Sequence, residues 1–277
     1  MSAKILDGKA TAAIIKTELR SRVSAMKKKP GLGTILVGDD PGSHSYVGGK
    51  HLDCAEVGIN SIRIDLPGSA TQSDILKAIN DLNNSEECTG YIVQLPLPKS
   101  INSNLILESI DPSKDADGLH PLNLGKLVIG EKAPLPCTPK GIIELLKRNQ
   151  ISTAGAEVVV MGRGLTVGRP LSILLSQKGI DATVTVTHTA TRDFISLTSR
   201  ADIVIAAIGK PHFLKPEMVK NNSILIDVGI TRTSSGLVGD IDPTCISNAS
   251  YFAPMPGGVG PMTRAMLLQN VVEMAQA

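Results

Sequence analysis

The stretch Val158–Pro170, VVVMGRGLTVGRP, carries the strongest indication of the fold. It reads as a buried strand, a glycine-rich turn and the start of a helix, which is the order that a dinucleotide-binding turn requires. The spacing Gly162-x-Gly164-x-x-x-Gly168 is one residue longer than the usual G-x-G-x-x-G pattern. A tight turn whose glycines serve only backbone geometry would have the same composition. The pattern favours nucleotide binding, and the plain turn stays open as the alternative.

The residues around this turn indicate which nucleotide would bind. NAD-specific folds place an Asp or Glu about 20 residues further on, at the end of the second strand, to bind the ribose 2′-hydroxyl. Here that strand ends in ATVTVTHT, and the position offers His188 and Thr189 instead of an acid. Arg163 lies within the turn, and an arginine beside a hydroxyl suits the 2′-phosphate of NADP. We expect NADP rather than NAD, with a solvated surface arginine as the alternative for Arg163.

Strand-like and helix-like patterns alternate along almost the whole chain, which predicts βαβ units and a mostly parallel sheet. The predicted strands are Leu32–Val37, Ser61–Leu66, Tyr91–Leu95, Glu157–Met161, Ala182–Thr187, Ile203–Ile208 and Ile224–Val228. The predicted helices are Tyr46–Val57, Ser73–Leu82, Thr138–Asn149, Arg169–Lys178, Thr191–Ser199 and Thr263–Ala277. Between the two series lies a loop-rich segment, Pro112–Pro139.

We therefore expect an α/β protein of two domains with a cleft between them. The first, residues 1–140, is predicted to be a three-layer α/β catalytic domain. The second, residues 141–262, is predicted to be a Rossmann-type NADP-binding domain. The C-terminal helix, residues 263–277, is expected to return to the first domain.

Composition excludes several classes of protein. The chain has 277 residues, of which 42% are hydrophobic, so intrinsic disorder is excluded. Only 2% are aromatic and the net charge is +2, which argues against nucleic-acid binding by stacking or by phosphate contacts. No apolar run approaches the ~18 residues of a membrane span, and the N-terminus lacks a signal-peptide pattern. The four cysteines lack zinc-site spacing, so we expect a cytoplasmic protein with reduced thiols and no metal.

Tyr46 and Lys50 are four residues apart on a predicted helix and should share a face. The helix follows a loop at the carboxyl end of a strand, so that face can look into a crevice. A buried lysine there would have a lowered pKa, which suits proton transfer. Gly48 and Gly49 weaken this helix, which is unexpected unless another group must approach closely. An exposed lysine beside a tyrosine that covers apolar surface is the alternative.

Other polar and glycine residues follow predicted strands or lie in turns. Gln94 ends the strand Tyr91–Leu95, where its amide could orient a lysine amine without adding charge. Asp117 lies in the turn sequence DADG, in which Asp and Gly are ordinary turn residues. Gly209 closes another strand at the edge where doubly wound sheets bind ligands, although glycine is also common there for turn geometry alone.

Several segments together resemble the bifunctional methylenetetrahydrofolate dehydrogenase/methenyltetrahydrofolate cyclohydrolase family. They are SYVGGKHLDCAEVGI (45–59), GYIVQLPLP (90–98), KDADGLHPLNLGKL (114–127), PCTPKG (136–141), VVVMGRGLTVGRPL (158–171), DVGI (227–230), VGDID (238–242) and PMPGGVGPMTRAML (254–267). They run in the family's order over most of the chain. QLPLP and PGGVGPMT are highly specific to that family.

The resemblance implies roles for the first half of the chain. Lys50 would be the general acid/base, Tyr46 would cover the folate ring system, and Gln94 would hold and tune the lysine. Asp117 would accept hydrogen bonds from the pterin amino edge. Other residues expected at the folate are Leu95, Gly260 and Thr263.

It implies cofactor contacts as well. The expected NADP-binding residues are Gly162, Arg163, Gly164, Val167, Gly168, His188, Thr189, Gly209 and Ile230, with Arg163 and Thr189 at the 2′-phosphate. Gly164 departs from the family pattern, in which many members have Ser, so a hydroxyl contact to the cofactor would be missing.

The function that the resemblance implies is NADP-dependent oxidation of 5,10-methylenetetrahydrofolate, followed by hydrolysis to 10-formyltetrahydrofolate. It also implies a homodimer that acts in one-carbon metabolism and supplies purine biosynthesis. Two alternatives remain open: another two-domain NADP-dependent dehydrogenase, acting on a small alicyclic acid, or a non-catalytic NADP(H)-sensing module. Such a dehydrogenase would not need QLPLP or PGGVGPMT.

Overall fold

The computed structural model describes residues 3–234 and 236–277, in which helices and strands alternate. The helices are α1 (Gly8–Ser24), α2 (Pro41–Val57), α3 (Gln72–Asn83), α4 (Ser103–Glu108), α5 (Pro121–Ile129), α6 (Cys137–Arg148), α7 (Gly168–Leu175), α8 (Phe194–Thr198) and α9 (Val259–Met274). The strands are β1 (Lys4–Ile5), β2 (Gly31–Val37), β3 (Asn60–Leu66), β4 (Gly90–Val93), β5 (Glu157–Met161), β6 (Thr183–Thr187), β7 (Ile203–Ala206), β8 (Ser223–Asp227), β9 (Thr231–Thr233), β10 (Gly236–Val238) and β11 (Ala249–Ala253).

One compact unit comprises Thr138–Thr263 and the described residues before Ala13. Its main sheet has the order β1-β11-β8-β7-β5-β6 and is parallel throughout. The inner strand β7 (IVIA) is buried along its whole length, as a strand covered on both faces should be. From β5 the chain continues to β6 on one side, and it then crosses back over β5 to form β7 on the other side. The carboxyl end of β5 is therefore a topological switch point, where doubly wound sheets bind ligands. The predicted α/β class and Rossmann-type arrangement are confirmed.

The other compact unit comprises Ala13–Cys137 and Arg264–Ala277. Its sheet has the order β3-β2-β4, again parallel. The central strand β2 is buried along its length, whereas the edge strand β3 is partly or fully exposed at every residue. The C-terminal half of α9 belongs to this unit, and the Asn270 Nδ2 donates to the carbonyl oxygens of Ala116 and Leu135, both at 2.9 Å.

Two predicted helix starts lie four or five residues too late, and one helix falls in a segment predicted as loop. Helix α2 begins at Pro41 rather than Tyr46, because the Asp40 carboxylate caps it by accepting the Ser43 N–H at 2.7 Å. Helix α9 begins at Val259 rather than Thr263. Helix α5 lies within the segment predicted as loop, with His120 accepting the Leu122 N–H at its start.

The N-terminal strand was absent from the sequence interpretation. Strand β1 pairs with β11, Lys4 opposite Tyr251 and Ile5 opposite Phe252, so residues 3–12 lie with the nucleotide-type sheet although they fall within the predicted first domain. A two-residue strand has no periodicity that a sequence pattern could reveal. Within residues 3–234 and 236–277, no helix combines the length and the apolarity needed to cross a lipid bilayer.

Candidate active site

A buried lysine forms the centre of the site in the unit containing α2. Lys50 is 5% exposed, and its Nζ donates a hydrogen bond to the Oε1 of Gln94 at 2.9 Å. The same ammonium lies 4.7 Å from the centroid of the Tyr46 ring. One turn of α2 therefore brings Tyr46 and Lys50 together as their spacing predicts, and Gln94, the residue after β4, supplies the amide oxygen that accepts from the lysine.

The backbone around Gln94 orients its side chain. Its N–H donates to the Ile35 carbonyl of β2 at 2.9 Å, which continues the sheet pairing one residue past β4. Its Nε2 donates to the Leu95 carbonyl at 2.6 Å, so the amide oxygen is the group left for the lysine. Leu95 itself is half-buried beside this amide.

Burial tunes Lys50 for proton exchange. Loss of hydration lowers the pKa of Lys50 to about 8. The negative charge of Asp117 opposes that shift, while the positive charge of Arg264 adds to it. Burial in turn raises the pKa of Asp117, against the effect of the Lys50 charge. A lysine with a pKa near the physiological range can both accept and donate a proton.

A buried aspartate organises the turn that carries Asp117. Asp115 is 1% exposed, and its carboxylate accepts the backbone N–H of Gly118 at 3.0 Å and of His120 at 2.8 Å. The Cys137 thiol hydrogen-bonds the Asp117 carboxyl. Within DADG, Asp115 therefore holds the backbone of the turn. Asp117 is half-buried and close enough to Lys50 for their charges to interact.

Arg264 lies directly against the glycine that precedes the lysine of α2. A Cβ on Gly49 would lie 2.0 Å from the Nη1 of Arg264, so a side chain there would displace the guanidinium. The arginine is fixed by Asp53, whose Oδ2 is 3.1 Å from its Nε. The close approach expected of the glycine pair is therefore found at Gly49, whereas nothing in the structure explains Gly48.

Two predicted folate residues lie in the other compact unit, on the first turns of α9. Gly260 and Thr263 are both half-buried. The Thr263 hydroxyl is 3.0 Å from the Thr138 hydroxyl of α6, and it donates to the Val259 carbonyl at 3.3 Å.

A pocket of about 620 Å³ opens at the carboxyl ends of β5, β6 and β7. It is lined by Met161, Gly162, Arg163, Gly164, Thr187, His188, Thr189, Thr191, Arg192, Phe194, Ala207, Ile208, Lys210 and Phe213. Five of the predicted cofactor residues are therefore brought together: Gly162, Arg163, Gly164, His188 and Thr189. Val167, Gly168, Gly209 and Ile230 are not part of this lining.

The two glycines that open the turn, Gly162 and Gly164, differ in the space around them. Gly162 has a φ of +111°, and a Cβ on it would lie 2.2 Å from the Ala207 carbonyl oxygen. Its N–H donates to the Thr187 carbonyl at 2.9 Å, which joins the ends of β5 and β6. By contrast, a Cβ on Gly164 would meet nothing within 4 Å. Gly162 is thus required by the backbone, whereas Gly164 leaves open space.

The charges of the pocket suit a phosphorylated nucleotide. Its described lining includes Arg163, Arg192 and Lys210 and contains no Asp or Glu. The residue after β6 is held in a turn, because the His188 N–H donates to the Thr191 hydroxyl at 2.9 Å. Among residues 3–234 and 236–277, no cluster of His, Cys, Asp or Glu has the arrangement of a metal site.

Sequence reasoning missed the aromatic wall of this pocket. The rings of Phe194 and Phe213 are 5.4 Å apart, and the Lys210 Nζ lies 5.5 Å from the Phe213 centroid. The chain has three phenylalanines, and their sequence positions do not indicate that Phe194 and Phe213 share one pocket. Their separation in sequence hid the pairing.

Two family models match this chain in succession. Residues 6–117 match the tetrahydrofolate dehydrogenase/cyclohydrolase catalytic domain, and residues 136–277 match the NAD(P)-binding domain of the same family. The second match covers half of the chain.

Solved structures of similar proteins agree with this assignment. The bifunctional methylenetetrahydrofolate dehydrogenase/cyclohydrolase FolD of Campylobacter jejuni is 44% identical, with 99% of each chain covered and a TM-score of 0.96. The FolD of Trypanosoma brucei, solved with NADP and an inhibitor, is 38% identical, covers 100% of this chain and 98% of its own, and has a TM-score of 0.94.

A more distant likeness bears on one alternative. Shikimate 5-dehydrogenase of Thermus thermophilus is 15% identical, with 88% of this chain and 98% of its own covered and a TM-score of 0.55, which shows a shared fold alone. The two family models and the much higher identities point elsewhere: this chain belongs to the tetrahydrofolate dehydrogenase/cyclohydrolase family.

Proposed function

We propose that this chain catalyses both reactions of its family in sequence. NADP⁺-dependent oxidation of 5,10-methylenetetrahydrofolate gives the 5,10-methenyl cation and NADPH, and hydrolysis of that cation gives 10-formyltetrahydrofolate. The observation that carries the proposal is the buried Lys50 ammonium, 2.9 Å from the Gln94 oxygen and 4.7 Å from the Tyr46 ring. A lysine with its pKa near 8 and a neutral amide partner suits the hydrolytic step.

Lys50 moves the protons of hydrolysis. Water adds to the methenyl carbon and loses a proton to the neutral Lys50 amine. The bond from that carbon to N5 then breaks while N5 gains a proton, and the formyl group stays on N10 with one proton released overall. Gln94 keeps the amine directed without adding a charge that would hold it protonated.

Tyr46 and Asp117 bind the substrate in this proposal. The Tyr46 ring lies over the lysine and offers a flat apolar face to the folate ring system. The Asp117 carboxylate accepts hydrogen bonds from the pterin amino edge, which desolvated carboxylates bind strongly. Leu95, Gly260 and Thr263 are proposed as further folate contacts.

The nucleotide pocket fits NADP. Bound NADP⁺ supplies the hydride acceptor for the first reaction. The glycine turn lines the pocket and would let the backbone approach the pyrophosphate, and Arg163 and Thr189 would hold the 2′-phosphate. Val167, Gly168, Gly209 and Ile230 remain proposals, since they lie outside the lining of the pocket.

A paired substitution tests the proposal. Lys50→Met should abolish hydrolysis of methenyltetrahydrofolate, which is followed by the loss of its absorbance. Lys77→Met, at an exposed lysine on α3 that pairs with Asp81, is the matched control and should keep wild-type rates. Hydrolysis at the wild-type rate by Lys50→Met would contradict the role of the lysine.

The wild-type protein separates the rival functions. NADPH formation with methylenetetrahydrofolate, followed by appearance and decay of the methenyl species, supports the proposal. NADPH formation with an alicyclic hydroxy acid but without folate turnover would favour the other dehydrogenase. Nucleotide binding without any turnover would favour the sensing module.

We also propose the setting in which the enzyme acts. The family resemblance supports a cytoplasmic homodimer that provides 10-formyltetrahydrofolate for purine biosynthesis. Sedimentation of the purified protein at micromolar concentration tests the dimer. A purine requirement in a strain that lacks the gene tests the metabolic role.

A further inference from the structure

A buried carboxylate lies beneath the loop that follows β7. Asp240 is fully buried, and its Oδ2 accepts the N–H of Ile208 at 2.6 Å and of Gly209 at 3.0 Å. Its Oδ1 accepts the N–H of Lys210 at 2.7 Å. Three consecutive amides converging on one carboxylate resemble the nests by which backbone binds anions. Here the anion is part of the protein.

This loop forms one wall of the nucleotide pocket. Ile208 and Lys210 both belong to its lining, and the Lys210 Nζ lies over the Phe213 ring of the same wall. Gly209 between them has a φ of +68°. Because Asp240 engages the three amides, the path of the loop at the pocket depends on that one side chain.

A second buried carboxylate holds Asp240 in place. Asp227, at the end of β8, is 2% exposed and accepts the N–H of Asp240 at 2.8 Å and of Ile241 at 3.0 Å. A Cβ on Gly229 would lie 2.0 Å from the Asp240 carboxyl, and a Cβ on Gly239 would lie 1.9 Å from that of Asp227. Two glycines therefore make the room in which the carboxylates fit.

The two carboxylates are buried close to one another. Burying carboxylates is costly unless they are hydrogen-bonded, and two close together repel. Burial raises the pKa of Asp227 to about 7, opposed by its amide donors and reinforced by the Asp240 charge.

We propose that Asp240 is a positioning residue for the dehydrogenase reaction, which holds the segment Ile208–Lys210 in the shape that binds NADP. Asp227 acts behind it by fixing the backbone of Asp240. This inference rests on the proposed function, because the nucleotide is the ligand that the wall serves. Under this proposal, the segments DVG (227–229) and VGD (238–240) together hold one wall of the nucleotide pocket.

The test compares Asp240→Asn with a matched control on the same segment. Asparagine has the shape of aspartate, but an NH₂ group replaces one of the two acceptor oxygens. Losing a hydrogen bond to that oxygen should weaken the binding of NADP⁺ about tenfold or more. The KM for NADP⁺ should rise by that factor, while hydrolysis of methenyltetrahydrofolate, which uses no nucleotide, changes by less than about twofold. Asp242→Asn is the control, because that carboxylate pairs with Lys215 outside the pocket, and it should change neither reaction.

A second variant keeps the inference testable if Asp240→Asn folds poorly. Asp227→Asn should also raise the KM for NADP⁺, with hydrolysis retained. An unchanged KM in Asp240→Asn overturns the inference, and so does a parallel loss of both reactions in both variants. A wild-type protein without NADP-dependent turnover would instead contradict the proposed function.

Discussion

The lysine centre predicts how a single added charge should change the enzyme. Gln94→Glu would replace the neutral oxygen 2.9 Å from the Lys50 Nζ with a carboxylate oxygen. An opposite charge within ~4–6 Å raises a lysine pKa by roughly 1–3 units, and a shift of about 2 units lies in the middle of that range. The pKa of Lys50 would then move from about 8 to roughly 10.

The change in rate follows from the neutral fraction of the amine. At a pH of about 7.5, roughly a quarter of the lysine is neutral with a pKa of 8, and roughly 0.3% with a pKa of 10. Because only the neutral amine accepts the proton from water, hydrolysis should fall roughly 70- to 80-fold at that pH. The difference in rate between Gln94→Glu and the wild type should shrink as the pH rises, because Lys50 of the variant then loses its proton.

The assay is the pH profile of methenyltetrahydrofolate decay for the wild type and two variants. The wild-type rate should rise with a midpoint near 8, and Gln94→Glu should shift that midpoint to higher pH. Gln94→Met has similar length and no charge, so it should lower the rate without an alkaline shift. A midpoint that stays near 8 in Gln94→Glu would refute the electrostatic reasoning, even if the rate fell.

The nucleotide turn gives three further predictions. Gly164→Ser should lower the KM for NADP⁺ about three- to tenfold, because its Cβ has open space and its hydroxyl adds one hydrogen bond; an increase in KM would contradict this. Gly162→Ala should destabilise the protein by about 3 kcal/mol, measured by urea unfolding, because its Cβ would overlap the Ala207 carbonyl. Stability equal to wild type would argue against that clash. Arg163→Ala should raise the KM for NADP⁺ about 10- to 100-fold and leave that for NAD⁺ nearly unchanged, as steady-state kinetics with both nucleotides would show. An equal effect on both would place the arginine away from the 2′-phosphate.

Much of the parallel sheet could be predicted because its strands are continuous apolar runs. VVVM and IVIA in β5 and β7 stand out between polar turns, as strands buried on both faces do. Strand β11, ASYFA, has no such run, and β1 has two residues, so both form through partners far away in sequence. The sequence does indicate the start of α2 at Pro41, since Asp40 is an N-cap residue followed by proline at the first helical position.

In the candidate site, too, contacts between residues close in sequence could be predicted, and contacts between distant residues could not. The spacing of Tyr46 and Lys50 predicts their contact, because the helix repeat alone brings them together. Arg264 and Asp240 act on groups far away in the chain, and the family-like segments that contain them do not indicate which groups they contact. Their roles emerge only when folding places a guanidinium against Gly49 and a carboxylate beneath the Ile208 amide.

The way the chain passes between its two compact units has a consequence for its synthesis. The chain passes from one unit to the other after Ala12, Cys137 and Thr263, and each of these points falls inside a continuous helix, namely α1, α6 and α9. Strand β1 leaves the ribosome well before β11, its neighbour in the sheet, and cannot pair with it until Ala249–Ala253 have been made. The other unit likewise waits for Asn270 to hold the backbone at Ala116. Neither unit can finish folding before α9 has been made, so a nascent chain stalled short of α9 should remain open to proteases and chaperones.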